Sequence, residues 1–327
     1  MGRERLCGMA AAMVLALAAG GCSGAPVPPP PPPPPPTIAA AAPEATTPAP
    51  EADHPVGLRV LHLRRGPGRP LPTLLFYPAA HSPVGHAGRF TGTAYRAGAA
   101  QVITDGAPAT GRFPIVLFSH GLHGSPQVYS DALAAWAAAG FVVAAPNYPF
   151  TSTYADRFRR RDIKNQPADL RYVLSRVRRL ATTAGDPLRG RIDGSRVAAI
   201  GHSAGGYTTT GLFTAGHDRR LRAGLVLAGW LAPGAFAGPS ATMLFLQGSA
   251  DPVVPPRLSR QAYEKVPWPK AYVLMRGLSH ADFMRPGDPG YPRVASTTLD
   301  FLRWTLKSDA AARRRLPPLV RSGDSGM

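Results

Sequence analysis

The sequence predicts an α/β domain, a mostly parallel central sheet with helices on both faces and its chemistry gathered at the carboxyl edge of the strands. Three observations carry this. Short apolar runs of strand length, such as Ile115-Val116-Leu117-Phe118, alternate with longer amphipathic stretches, as parallel strands joined by crossover helices do. One such run, Val197 to Ile200, leads straight into Gly201-His202-Ser203-Ala204-Gly205, a G-x-S-x-G pattern between a strand and a helix. Ser203, Asp251 and His280 each follow a predicted strand, in that order.

The chain of 327 residues has room for one large domain plus appendages. Residues 1–21 carry Arg3 and Arg5, then an apolar run from Leu6 to Ala19 too short to cross a bilayer, then Gly20 and Gly21 before Cys22. A basic start, a short apolar run and a small-residue processing site make a signal peptide. The residues before Cys22 resemble a bacterial lipoprotein signal, with Ala19 where leucine is commoner. That resemblance implies cleavage before Cys22, its acylation, and an extracytoplasmic protein attached to the cell membrane by an N-terminal lipid; without the lipid it would be secreted. Cys7 would leave with the signal, so the second of the two cysteines has no internal disulfide partner.

Residues 22–55 are dominated by proline, alanine and threonine, with an unbroken Pro28 to Pro36. Such a segment buries too little apolar surface to fold and favours an extended polyproline II spacer of about 3.1 Å per residue. The net charge of +18 reads either as a general attraction to an anionic envelope or as an arginine-rich composition shared across a whole proteome. No nucleic-acid motif and no interleaved basic and aromatic stretch accompany it, so no nucleic-acid partner is expected.

The domain is expected to span residues 56–308. Val56 to Leu63 and Thr73 to Tyr77 read as strands around a glycine- and proline-rich turn, and His81 to Gly111 as loop, with a short helix as the alternative. Phe113 to Ser119 is a strand that delivers His120-Gly121-Leu122-His123-Gly124; Ser125 is expected to cap the helix that follows, which shows Tyr129, Leu133 and Trp136 on one face. Phe141 to Ala145 is a strand ending in a turn that includes Tyr148. Thr151 to Gln166, with Arg157, Arg159, Arg160 and Arg161, is a surface excursion, read either as a basic lid or as a solvated helix start. Pro167 to Leu180 is an amphipathic helix, and Asp193-Gly194 a turn into the serine-bearing strand. Strands at Ala223–Ala228, Thr242–Gln247 and Ala271–Met275 and helices at Pro255–Lys265 and Tyr291–Ser308 complete the domain, and residues 309–327 read as a basic disordered tail.

The chemistry follows from residue types. A serine hydroxyl is a weak nucleophile until a histidine accepts its proton, and a carboxylate must hold the imidazole tautomer and stabilise its cation. Ser203, His280 and Asp251 are the candidates, with Asp282 as the rival acid. Small residues around Ser203 allow a sharp strand-to-helix turn. The backbone N–H groups of Leu122 and Ala204 are placed to receive a developing oxyanion. No metal site and no cofactor are expected.

The stretches FPIVLFSHGLHGSPQVYSDALAAWAAAGFVVAAPNYP, NQPADLRYVL and GHSAGG, within residues 56–307, resemble the α/β hydrolase superfamily. They are most similar to its branch of platelet-activating-factor acetylhydrolase-like, chlorophyllase-like and cutinase-like polyester hydrolases, some of which are labelled dienelactone hydrolase. The resemblance implies an α/β-hydrolase fold and cofactor-free cleavage of small-molecule, lipid or polyester esters through an acyl-serine intermediate. It also implies a substrate pocket with Trp230, and Tyr148 is placed there with it. Dienelactone hydrolases use a cysteine nucleophile, where this chain has Ser203. A serine peptidase, an acyltransferase and a non-catalytic envelope binding module are the other readings of the same residues.

Overall fold

The computed structural model of the protein describes residues 54–81, 94–97, 100–214 and 216–319. The expected signal peptide, Cys22, most of the proline-rich linker and the end of the tail lie outside them. The elements are β1 (Val56–Arg64), β2 (Pro70–Pro78), β3 (Ala94–Ala97), β4 (Ala100–Thr104), β5 (Phe113–Ser119), α1 (Ser130–Ala138), β6 (Val142–Pro146), α2 (Gln166–Leu180), β7 (Ile192–His202), α3 (Ala204–Phe213), β8 (Leu221–Leu227), β9 (Thr242–Gly248), α4 (Pro256–Glu264), β10 (Lys270–Met275), α5 (Tyr291–Lys307) and α6 (Ala310–Arg315).

The strands form one sheet in the order β10-β9-β8-β7-β5-β6-β2-β1-β4-β3. All strands from β10 to β6 run parallel. β2 opposes them, while β1 and β4 return to the common direction. Because β6 and β7 lie on opposite sides of β5, the chain reverses its course across the sheet there. A crevice opens at such a switch, at the carboxyl ends of β5 and β7.

Both faces of the sheet's centre are buried, which is why β5, β6, β8 and β9 read as apolar runs rather than as alternation. Val116 and Phe118 join Trp136 of α1 and Phe301 and Leu302 of α5 on one face. Ile115 and Leu117 join Val173 and Val177 of α2 and Phe213 of α3 on the other. In α2 the buried Leu170, Val173 and Val177 recur at helical spacing behind a proline in the first turn.

Four expectations are corrected. Within 81–111, expected as loop, β3 and β4 form: β4 adds to the edge of β1, pairing Val102 with Val56, and only Ala100 and Val102 of its residues are buried, too few to show a period. Ser125 does not cap a helix with its side chain. A 3-10 turn over Pro126–Tyr129 intervenes, and the Val128 N–H donates to the Ser125 carbonyl instead. Asp193-Gly194 lies inside β7, where Asp193 pairs with Pro114 and the register then slips, so turn chemistry produces a bulge. The tail is ordered as far as α6: Asp309 caps it through the N–H groups of Ala311 and Ala312, Arg315 pairs with Asp300, and Ala312 and Leu316 are buried.

Ending the chain after Ser308 should therefore lower the unfolding free energy by about 1–3 kcal/mol, the worth of burying one leucine-sized side chain. Urea unfolding of the full and shortened chains measures it; equal midpoints would mean that the tail contributes no packing.

Candidate active site

Ser203 stands at the junction of β7 and α3 with φ 57 and ψ −120, a conformation that costs a non-glycine residue about 1–3 kcal/mol. Its surroundings hold it there. The Ser203 N–H donates to the Leu227 carbonyl at 2.8 Å, and the Gly206 N–H donates to the Ser203 carbonyl at 2.8 Å. Close approach explains the flanking glycines. A Cβ on Gly201 would sit 2.0 Å from the Gly205 carbonyl oxygen, and one on Gly205 would sit 1.9 Å from that of Ser119, at the end of β5. Among the described residues the Ser203 hydroxyl makes no hydrogen bond, and its residue is 8% exposed.

Asp251 follows β9 and His280 follows β10. The two turns pack tightly, since a Cβ on Gly248 would lie 2.3 Å from the Leu278 carbonyl oxygen, and the Ala250 N–H donates to that same oxygen. His280 Nδ1–H donates to Asp251 Oδ2 at 2.7 Å. Asp251 is buried, and Oδ2 also accepts from Gln247 Nε2 while Oδ1 accepts from the N–H groups of Val253 and Val254. These donors hold the carboxylate toward the imidazole, which leaves His280 Nε2 with its lone pair available. Asp282, the rival acid, instead accepts from the Ser279 N–H at 2.7 Å and shapes the loop.

No hydrogen bond joins Ser203 to His280. They are linked through His202, whose Nε2–H donates to the His280 carbonyl at 2.9 Å and whose Nδ1 accepts from the Tyr129 hydroxyl at 3.0 Å. Catalytic hydrogen bonds are often formed fully only with substrate in place. Burial, reinforced by the neighbouring His280, lowers the His202 pKa to about 4, so at neutral pH the ring is the uncharged tautomer that this pairing needs. His120 is handled alike. Its Nδ1–H donates to the Gly121 carbonyl, its Nε2 accepts from the Tyr148 N–H, and burial lowers its pKa to about 4.

Gly121 and Leu122 come off β5 beside the serine; a Cβ on Gly121 would be 3.2 Å from Ser203 Cβ. Among the described residues the N–H groups of Leu122 and Ala204 donate to no carbonyl, as an oxyanion site requires. His123 stacks on Phe158 of the 151–166 excursion at 3.7 Å. That excursion is not a plain solvated helix start: Asp162 in its 3-10 turn is buried and paired to Arg69.

Of the two pocket candidates, Trp230 is partly exposed and its ring lies 5.7 Å from Tyr207 on α3. Tyr148 is corrected. It is fully buried, its hydroxyl is 2.7 Å from the Ser119 hydroxyl and its ring packs on His120, so it supports the floor of the site. The supporting roles of His202, Gln247 and Tyr129 were not foreseen. For His202 the signal lay in the variable position of G-x-S-x-G, where a titratable ring beside the serine must find partners.

Residues 97–310, which include Ser203, Asp251 and His280, match the family described as PETase, PET hydrolase-like. The chain belongs to that family. Its fold is that of the α/β hydrolases, and this PET hydrolase-like chain is also similar to a platelet-activating factor acetylhydrolase from Cavia porcellus. The two are 27% identical over 161 residues, 37% of this chain and 36% of the relative, so the match spans about a third of the relative's length.

The two buried histidines give stability a pH dependence. Their folded pKa values of about 4 lie below the ordinary 6.5, so between those values the unfolded chain binds more protons. The stability they confer is complete above pH 6.5 and is lost as pH falls toward 4. Between pH 7 and 4.5 each should account for about 2–3 kcal/mol. Urea unfolding at a series of pH values should show a shallower acid slope for His202→Gln than for wild type; parallel slopes would contradict a buried neutral ring.

Proposed function

We propose that the protein is a serine hydrolase that cleaves carboxylic esters through an acyl-serine intermediate on Ser203. The observation that carries the reading is the His280 Nδ1–H aimed at the buried, multiply bonded Asp251, beside a serine held in a strained turn at the sheet's carboxyl edge. In this mechanism Ser203 Oγ attacks the ester carbonyl while its proton passes to His280 Nε2. The oxygen's new charge is met by the N–H groups of Leu122 and Ala204. His280 then returns the proton to the departing alcohol, and a water molecule repeats the sequence to free the acid. Asp251 stabilises the imidazolium throughout. A family described as PET hydrolase-like and a relative named platelet-activating factor acetylhydrolase both support a small-molecule, lipid or polyester ester as substrate, with Trp230 at the acyl or aromatic end.

Ser203→Ala should reduce ester hydrolysis by about a million-fold with the fold intact. Asp251→Asn should lower the turnover number by about 10⁴-fold, because it stabilises the wrong tautomer of His280, whereas Asp282→Asn should cost less than about tenfold. Purified variants assayed on one short-chain p-nitrophenyl ester decide this: a more damaging Asp282→Asn would reassign the acid, and an active Ser203→Ala would end the reading.

The place of action is proposed to be the cell envelope, with the mature chain starting at a lipidated Cys22. Detergent partitioning tests it. Wild type should enter the detergent phase and Cys22→Ala the aqueous phase; equal release into water would remove the anchor.

A further inference from the structure

The two oxyanion N–H groups belong to segments far apart in sequence. Leu122 lies in the loop after β5, and Ala204 opens α3. The strand ends hold the two segments together as far as Gly121, which touches Ser203, while Leu122 lies beyond that contact in the loop. The loop is braced from outside by residues 151–153: the His123 N–H donates to the Thr151 carbonyl at 2.8 Å, the Thr153 N–H to the Gly124 carbonyl at 3.0 Å, and Gly124 bridges Ser152. His123 takes φ 54, a position a non-glycine residue keeps only when its neighbours hold it.

Gln166 joins this brace to the nucleophile helix. Its Nε2 donates to Thr151 Oγ1 at 2.7 Å, and its Oε1 accepts from the hydroxyl of Thr208, one turn into α3, whose Oγ1 also lies 3.0 Å from the Ala204 carbonyl. Thr151, Gln166 and Thr208 are all fully buried. Gln166 is itself anchored, because Arg69 pairs with both Asp162 before it and Asp169 after it, and Asn165 donates to Asp162. A buried amide between two hydroxyls holds a fixed length and direction, which an apolar side chain of the same size does not.

We infer that Gln166 is a positioning residue for the oxyanion site: through Thr151 and Thr208 it sets the spacing between the loop bearing Leu122 and the helix bearing Ala204. The inference rests on the ester-hydrolase reading and adds to it a residue remote from the reacting atoms. Its effect falls on the transition state, since a donor pair spaced for an oxyanion is used little by the ground-state carbonyl.

The test compares wild type, Gln166→Met, Thr151→Val and the double variant on a short-chain p-nitrophenyl ester, with inhibition by a trifluoromethyl ketone. In that inhibitor the Ser203 oxygen bonds to the carbonyl carbon, the hydroxyl proton moves to His280, and the carbonyl electron pair becomes an oxyanion between the two N–H groups. A fluorophosphonate titrates active serines. Gln166→Met should label to the same final stoichiometry as wild type and keep KM within about threefold. Its kcat should fall about 30-fold, below the 10²–10³ for loss of a whole oxyanion donor, and the ketone Ki should rise by the same factor. The double variant should be no worse than Gln166→Met, because one cut already severs the link.

A kcat within twofold of wild type, a kcat loss with unchanged ketone affinity, or fully additive losses would each overturn the inference. Should Gln166→Met fail to fold, Thr151→Val, which keeps the carbonyl that binds His123, carries the same test. If wild type takes no fluorophosphonate and Ser203→Ala remains active, the reading of Ser203 as the nucleophile itself fails and this inference goes with it.

Discussion

The architecture turns on one close approach, that of the first turn of α3 to the end of β5. Gly205 sits where a methyl group would strike the Ser119 carbonyl, and Gly201 where one would strike Gly205. The missing side chains let α3 lie directly against two strand ends. Ser203 is thereby forced into its left-handed turn, Ala204 is left with an unspent N–H, and Gly121 comes into contact with the serine. A larger residue at either glycine would separate these groups together, because they share one contact.

Around that contact the protein relies on neutral hydrogen bonding rather than on its large positive charge. His120 and His202 are kept uncharged by burial, and they donate to the carbonyls of Gly121 and His280 respectively. Arginines serve at a distance. Arg69 reaches from the β1–β2 hairpin to Asp162 and Asp169, and Arg65 joins it on Asp169, so a surface hairpin locks the segment that backs the loop after β5. Removing one partner of such a buried group would strand a charge, which makes the hairpin more than a decoration of the sheet edge.

Much of this was legible in the sequence because it is local. β5, β6, β8 and β9 are largely buried apolar runs, and Ser203, Asp251 and His280 each sit just beyond a strand. Asp251 could be preferred to Asp282 from the small residues of Gly248-Ser249-Ala250, and His280 Nδ1 lies 2.7 Å from Asp251 Oδ2. What stayed hidden depends on reach across the chain. β4 is a strand because β1 offers it an edge; Leu316 is buried because α5 ends where it can cover the core; Tyr148 is buried because Ser119 and His120 meet it from another strand. His202, Gln247 and Gln166 have partners 78, 4 and 42 residues away. Of these only the Gln247 pairing could have been guessed from spacing.

The direction of β1 has a practical consequence. Through β2 it comes round parallel to β7, so Val56 enters the sheet at the amino edge, whereas Ser203 leaves β7 at the carboxyl edge. The His54 N–H is tied there to the Ala138 carbonyl at the end of α1, which also lies at that edge. A strand of this length spans roughly 30 Å. A solid support or fusion partner joined just ahead of β1 would therefore attach on the side away from the crevice, which makes the N-terminal side of this domain the natural point of immobilisation for work on large or insoluble substrates.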